Sequence, residues 1–221
     1  MNKLISFLIF YFFLTNALAQ DNLAIGLYGG TAQYMGDMNK MNPFFSPAPS
    51  YGFGIISDHN LRYSFQLMGS YNTLRAGTKY ADQYVLPEPY ESFSRKQWDL
   101  SITAEFNFLP YESYNSRKRN FTPFIYAGLG TNFAMDQSAN NFPVTIPFGL
   151  GLKYNIFERI SIGIQWKAHK IFYDDMDNNV VNVWDPENRP RIHNDDWYHH
   201  AFFFLIFKPF EKIIDCPTYE E

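Results

Sequence analysis

Val144-Thr145-Ile146-Pro147-Phe148-Gly149-Leu150-Gly151-Leu152-Lys153-Tyr154 is the stretch that decides the fold. Successive side chains of a strand point to opposite faces. Ile146, Phe148, Leu150, Leu152 and Tyr154 therefore share one face, and Thr145, Pro147, Gly149, Gly151 and Lys153 share the other. The same period follows at once, with Ile160, Ile162, Ile164 and Trp166 against Ser161, Gly163, Gln165 and Lys167. It also occurs upstream, with Leu100, Ile102, Ala104, Phe106 and Phe108 against Asp99, Ser101, Thr103, Glu105 and Asn107. A lysine or glutamate opposite an all-apolar face suits the wet lumen of a transmembrane barrel and suits the dry core of a sandwich poorly.

Working outward, less regular strands are expected at about 23–34, 50–57, 62–74, 121–133 and 197–208, which makes eight. The last contains Ala201-Phe202-Phe203-Phe204-Leu205-Ile206-Phe207, apolar on both faces, so its orientation is open. The connections alternate in length. They are short at Asp58–Leu61, 110–120 and Phe157–Arg159, and long at 35–49, 75–95, 134–143 and 175–196. Short turns on the periplasmic side and long loops outside are the habit of outer-membrane barrels, and an even strand number places both termini in the periplasm. The fold class is thus all-β, an eight-stranded antiparallel transmembrane β-barrel after a cleaved signal peptide. Eight strands enclose an interior just wide enough for side chains to fill, which argues against a porin. Lys153, Lys167, Gln165, Asp99, Glu105 and Asn107 are expected to pair inside it as a polar plug, with Gly128, Gly130, Gly149 and Gly151 relieving crowding.

The first residues set the compartment. Lys3 precedes an apolar run from Leu4 to Leu14, and Ala17-Leu18-Ala19 offers small residues for cleavage before Gln20. This is the layout of a secretory signal, and the run falls short of the roughly 20 residues a spanning helix needs. The expected division is a signal peptide at 1–19, a barrel at 20–208 and a periplasmic tail at 209–221. Without Lys3 the remainder carries 17 Lys and Arg against 22 Asp and Glu, about −5, which gives no footprint for nucleic acid. A single cysteine, Cys216, excludes an internal disulfide framework and leaves a free thiol or a bond to another subunit open. Aromatic residues are 19% of the chain, yet no mature segment is apolar for 18 residues, a balance that fits strands meeting lipid with alternate residues only.

Several stretches resemble the PorG-like outer-membrane barrel family (DUF6089 type) of the Bacteroidetes type IX secretion system. They are Gly29-Gly30-Thr31-Ala32-Gln33-Tyr34-Met35-Gly36-Asp37, then Phe121-Thr122-Pro123-Phe124-Ile125-Tyr126-Ala127-Gly128-Leu129-Gly130, and Pro147 to Tyr154. Asn194-Asp195-Asp196-Trp197-Tyr198 at the opening of the last strand and Cys216-Pro217-Thr218-Tyr219 in the tail are more telling, since a bare barrel requires neither. Tyr173-Asp174-Asp175-Met176-Asp177 departs from the family's more usual Thr-Asp-Tyr-x-Asp-Asp. The resemblance implies a non-enzymatic component that ties periplasmic ring proteins of the PorK/PorN type to the outer membrane, with a role in protein transport and gliding motility.

The motifs with chemical potential each have a bland reading. His193, His199 and His200, beside Asp195 and Asp196, suggest a metal site or a catalytic base, but adjacent strand residues point to opposite faces, so His199 and His200 do not simply share one ligand sphere. Asp174, Asp175, Asp177, Asn178 and Asn179 offer hard oxygen ligands but lack the glycine and distal glutamate of a calcium loop, and read as a solvated acidic loop. His169 continues the inward register beyond Lys167 and reads as lumen packing. No catalytic, metal or cofactor residue is assigned, and no cofactor is expected. Partner contact is assigned to Arg117, Lys118 and Arg119 in the longest short-side turn, and to Ile213, Ile214, Cys216 and Tyr219 in the tail. The alternatives are a general structural or adhesive barrel and, in another class, a lipid-modifying barrel enzyme. The enzyme would be marked by a His with Ser or Asp on one face near the outer leaflet.

Overall fold

Period-two alternation with polar residues on one face leaves the chain a single way to hide its apolar face in lipid and satisfy every backbone group, namely a sheet closed on itself. The computed structural model describes residues 23–35, 46–77, 92–111, 120–135, 143–157, 159–171 and 197–209. Eight strands form: β1 (Leu23–Met35), β2 (Ala48–Asp58), β3 (Tyr63–Gly77), β4 (Ser92–Asn107), β5 (Phe121–Ala134), β6 (Val144–Phe157), β7 (Ile160–Ile171) and β8 (Trp197–Phe207). Each pairs antiparallel with the next, and β8 pairs with β1 from Ile25↔Phe207 to Met35↔Trp197, so the barrel is closed. Among the described residues no helix is long and apolar enough to cross a membrane; the crossing elements are strands. The expected signal peptide, most of the long connections and the tail from Phe210 onward lie outside the described residues.

The barrel is polar inside and apolar outside. Leu27, Phe53, Ile102, Leu129, Leu150 and Phe203 are exposed, while Gln97, Asp99, Lys153 and Lys167 are buried. That inversion is what lipid requires of a spanning barrel. Two aromatic girdles bound the belt. Near the end with the long connections, Tyr51, Tyr71, Trp98 and Phe133 line up across β2, β3, β4 and β5 in direct register. Near the end with the termini, the Tyr63 ring packs at a tilt against Phe106, 5.3 Å between centres. Tyr63 and Tyr71 are eight residues apart on β3, about 26 Å along the strand at ~3.3 Å per residue, which after tilt suits an apolar band of about 25 Å or a little less.

The lumen is filled by an arrangement that the pairing register makes plain. Five large rings point inward, and each lies opposite a glycine on a neighbouring strand: Tyr28↔Gly52, Phe202↔Gly30, Tyr126↔Gly149, Phe124↔Gly151 and Phe204↔Gly163. At Gly163 a Cβ would run into the Phe204 ring and the Leu152 carbonyl. At Gly151 it would meet the Phe124 ring and the Ile164 carbonyl. Large against small is how a narrow interior reaches close packing without strain. The orientation of β8, open from sequence, follows: Phe202, Phe204 and Ile206 face the lumen, and Phe203, Leu205 and Phe207 face out.

One hairpin outruns expectation. β3 extends to Gly77 and β4 begins at Ser92, so the connection expected at 75–95 is partly a two-stranded ribbon, paired through Gly77↔Ser92. Among the described residues, Thr73–Gly77 pair with β4 alone. Arg75 and Lys96, both exposed, break the apolar alternation there because this ribbon projects past the girdle and has no lipid to face.

Candidate functional site

The polar lumen groups do not form one continuous plug. They form two tiers separated by the aromatic floor of Tyr28, Phe124, Tyr126, Phe202 and Phe204. Phe124 contacts Tyr126 at 5.8 Å and Phe204 at 6.1 Å, and Tyr28 contacts Phe204 at 5.7 Å and Phe202 at 6.0 Å.

On the terminal side the charges are paired. Lys153 is ion-paired with Glu105 and lies 4.7 Å from the centre of the Phe124 ring. Lys208 is ion-paired with Asp58, which also accepts a 2.7 Å hydrogen bond from Ser64. Asn155 accepts hydrogen bonds from Tyr111 and, at 2.7 Å, from Ser161. The short turn from β2 to β3 is closed by Asn60 Oδ1, which accepts from the backbone N–H groups of Arg62 and Tyr63 at 2.8 Å each.

On the loop side the lumen holds Asp99 from β4, Lys167 and His169 from β7, and Tyr198 and His200 from β8, all buried. Strand parity puts these side chains inward, and the β7–β8 register sets Lys167 against His200 and His169 against Tyr198. Asp99 reaches the group from across the lumen. Its Oδ1 accepts from Gln97 at 3.1 Å and its Oδ2 accepts from Asn72. Lys167 donates to Ser101 Oγ at 2.8 Å, with Met68 Sδ 3.7 Å away. The His169 and Tyr198 rings stack at 4.3 Å, and the tyrosine hydroxyl lies 2.9 Å from His169 Nδ1. His200 Nε2 stands 3.8 Å from Asp99 Oδ2. One ligand-capable atom each from Asp99, His169 and His200 lies within 4.8 Å of the other two. Ala32, Tyr34, Leu74 and Ile171 form a mostly apolar cap that shares Tyr198 with this group, with buried Arg95 paired directly against Leu74.

His199 points away from this group, as strand alternation requires. Its ring stacks on Trp166 at 5.1 Å and its Nε2 lies 3.1 Å from Met35 Sδ. The His-with-Asp pairing that would mark an enzyme does occur, but it faces the closed lumen under this cap and not the lipid. His193, Asp195, Asp196 and the acidic stretch Asp174 to Asn179 lie outside the described residues, as do all seven residues assigned to partner contact, Arg117, Lys118, Arg119, Ile213, Ile214, Cys216 and Tyr219. What is described is their anchorage. Tyr111 N donates to Leu61 O at 2.9 Å and Asn155 N donates to Asn120 O at 2.7 Å, fixing both shoulders of the Arg117 turn. Lys208 N donates to Arg159 O at 3.0 Å where the chain leaves β8, at the same end of the barrel. Sequence reasoning placed His169 in the lumen but did not bring Asp99 and His200 to it. Inward parity on adjacent strands, two rungs apart in the β7–β8 register, links the two histidines; Asp99 requires the stagger of strands around the barrel.

Solved structures similar to the chain are small barrels. The N-terminal β-barrel domain of Pseudomonas aeruginosa OprF is 13% identical, covering 85% of this chain and 98% of its own, with a TM-score of 0.46. Neisserial surface protein A is 11% identical, covering 84% of this chain and 95% of its own, with a TM-score of 0.46. Ail, the attachment invasion locus protein of Yersinia pestis, solved with the heparin analogue sucrose octasulfate, is 12% identical, covering 84% of this chain and 95% of its own, with a TM-score of 0.41. Among curated proteins none matches the sequence. A family model described as a domain of unknown function, DUF6089, matches residues 2–218, nearly the whole length, and the chain belongs to that family.

Proposed function

We propose that this outer-membrane barrel is a non-enzymatic component of the type IX protein secretion machinery that anchors or organises a periplasmic ring of lipoproteins of the PorK/PorN type. The observation that carries the reading is the filled lumen. A barrel whose interior is taken up by five rings, two ion pairs and a mostly apolar cap passes nothing of size through itself, so its work falls to its end surfaces. The connection that carries Arg117–Arg119 and the segment that follows β8 start from the same end of the closed barrel, and both are outside the described residues. The family match continues past the end of β8 at Phe207 to residue 218, so it takes in Cys216-Pro217-Thr218 of the tail as well as the barrel. The named system itself rests on the resemblance of Asn194–Tyr198 and Cys216–Tyr219 to the PorG-like family.

Truncation after Phe210 tests this reading. The shortened protein is expected to insert and keep the gel mobility of a folded barrel, while ring lipoproteins no longer co-purify in mild detergent and secretion falls. A truncated barrel that inserts, keeps its ring partners and supports secretion sinks the docking role of the tail.

A further inference from the structure

The loop-side tier contains a buried set of side chains whose hydrogen-bonding capacity is left open in one direction. His200 is fully buried, yet neither ring nitrogen has a hydrogen-bond partner. His169, also buried, has Nδ1 tied to Tyr198 and Nε2 unpartnered. Buried polar atoms are almost always satisfied, and those that are not call for an explanation. Of these open atoms, His200 Nε2 faces the Asp99 carboxylate at 3.8 Å, and one ring nitrogen of His169 lies within 4.8 Å of both groups.

We propose that Asp99, His169 and His200 form a transition-metal site of two imidazoles and one carboxylate that clips β4 to β7 and β8 across the lumen. Bonds of about 2.0–2.1 Å in tetrahedral geometry set ligand atoms roughly 3.3–3.5 Å apart. The 3.8 Å separation of His200 Nε2 and Asp99 Oδ2 is within a small side-chain adjustment of that. The surroundings of His169 and Asp99 are those a metal site needs, while His200 Nδ1 has no such support. A ligating histidine directs its other ring nitrogen to a fixed partner, as His169 Nδ1 does to Tyr198. A ligating carboxylate is itself held by donors, as Asp99 is by Gln97 and Asn72, each using one lone pair and leaving others free.

The ligand set also states which ions fit. With one carboxylate and two imidazoles, the site favours Zn²⁺, Fe²⁺, Co²⁺ or Ni²⁺ over the all-oxygen preferences of Mg²⁺ and Ca²⁺. Lys167 is the directly paired neighbour of His200. Its ammonium is turned aside to Ser101 and Met68, which leaves the space between the three ligands to the ion. The cap of Tyr34, Leu74, Ile171 and Tyr198 closes the site from the loop side, and the Phe202 ring, 5.0 Å from His200, closes it from below. A closed site of this kind ties strands together and turns over no substrate.

The test uses the protein purified from membranes in detergent, stripped with chelator and titrated with Co²⁺. One Co²⁺ per folded barrel is expected, with visible absorption of four- or five-coordinate intensity that Zn²⁺ abolishes. Asp99→Asn, His169→Gln and His200→Gln should each weaken binding on the order of 100-fold or more, since losing even an outer partner of a metal ligand costs up to that much. His199→Gln, on the same strand but the opposite face, should bind as wild type. Folding of each variant is read from the heat-dependent gel mobility of an intact barrel. Zinc-edge X-ray absorption of wild type decides without any variant, with two imidazole shells and one carboxylate oxygen expected. The proposal is overturned by folded wild type that takes up no such Co²⁺, by folded histidine variants that bind unchanged, by His199→Gln losing the signal, or by a zinc shell of sulfur or of oxygen alone.

Discussion

The two polar tiers of the lumen share lysines, carboxylates, serines and asparagines, but the buried histidines His169 and His200 stand in one of them, and the tiers end in opposite states. Below the aromatic floor, Glu105 and Lys153, and Asp58 and Lys208, neutralise one another in contact. Above it, Lys167 bonds to a serine hydroxyl, Asp99 accepts from two amides, and three imidazole nitrogens of His169 and His200 have no partner. A tier whose charges are paired can be read as structure, even with Asn107 Oδ1 and Asn120 Oδ1 unpartnered there. An open tier is stable only at a cost, which is the form that binding sites take.

The comparison breaks most visibly at Glu105. Glu105→Ala leaves Lys153 buried without its counter-charge, and about 3–5 kcal/mol of stability should be lost, read as a lower urea midpoint for unfolding from lipid vesicles. A loss under 1 kcal/mol would mean that the terminal tier is not held by its pairing. The floor between the tiers comes next. Gly163→Ala drives a methyl into the Phe204 ring and the Leu152 carbonyl and should cost about 1–3 kcal/mol. Gly69→Ala is the matched control. The nearest atom to a Cβ there is Asp99 O at 4.0 Å, so the effect should stay within about 0.5 kcal/mol. Equal effects at the two glycines would show that the rings do not set the packing of the lumen.

The smallest effect sharpens the contrast most. His200→Phe replaces an imidazole lacking hydrogen bonds by an apolar ring of similar shape, and removing an unsatisfied buried polar group is near neutral or stabilising. In chelator-treated protein the change should therefore lie within about 1 kcal/mol of wild type, while in saturating Zn²⁺ the variant alone should fail to gain stability. A large loss in chelator would show that His200 makes a bond the open tier is not supposed to contain.

How far sequence carries depends on what faces inward. β4, β6 and β7 were legible because Asp99, Glu105, Lys153 and Lys167 interrupt an otherwise apolar pattern at period two. β8 was not, because its inward residues Phe202, Phe204 and Ile206 belong to the floor and are as apolar as those meeting lipid. The clue was present in the two neighbouring strands: Gly30 of β1 and Gly163 of β7 leave room for the Phe202 and Phe204 rings, but this becomes visible only with the register. Gly149 and Gly151 do relieve crowding by rings, whereas Gly128 sits against the β4 backbone at Ile102 and Thr103. The expected single polar plug is two tiers because pairing across a lumen depends on depth, and depth depends on strand stagger that composition does not encode. The same stagger hid Asp99 from His169 and His200. The ends of β3 and β4 were misjudged since a ribbon in water keeps its hydrogen bonds without an apolar face.

The seam between β1 and β8 sets the order of events in time. It joins the first and last strands, with Gly30 facing Phe202 so closely that a Cβ would collide with the Ala201 carbonyl. No contact in the barrel spans more of the chain, and contacts of long sequence separation are the slow ones to form. Until β8 has arrived, β1 waits with an unpaired edge, the state in which strands recruit wrong partners. Once the seam shuts, no strand end remains from which the sheet can fray, and unfolding has to begin by parting a ladder along its length. The same glycine that lets the ring close thus governs how long the open form persists and how slowly the closed one is lost.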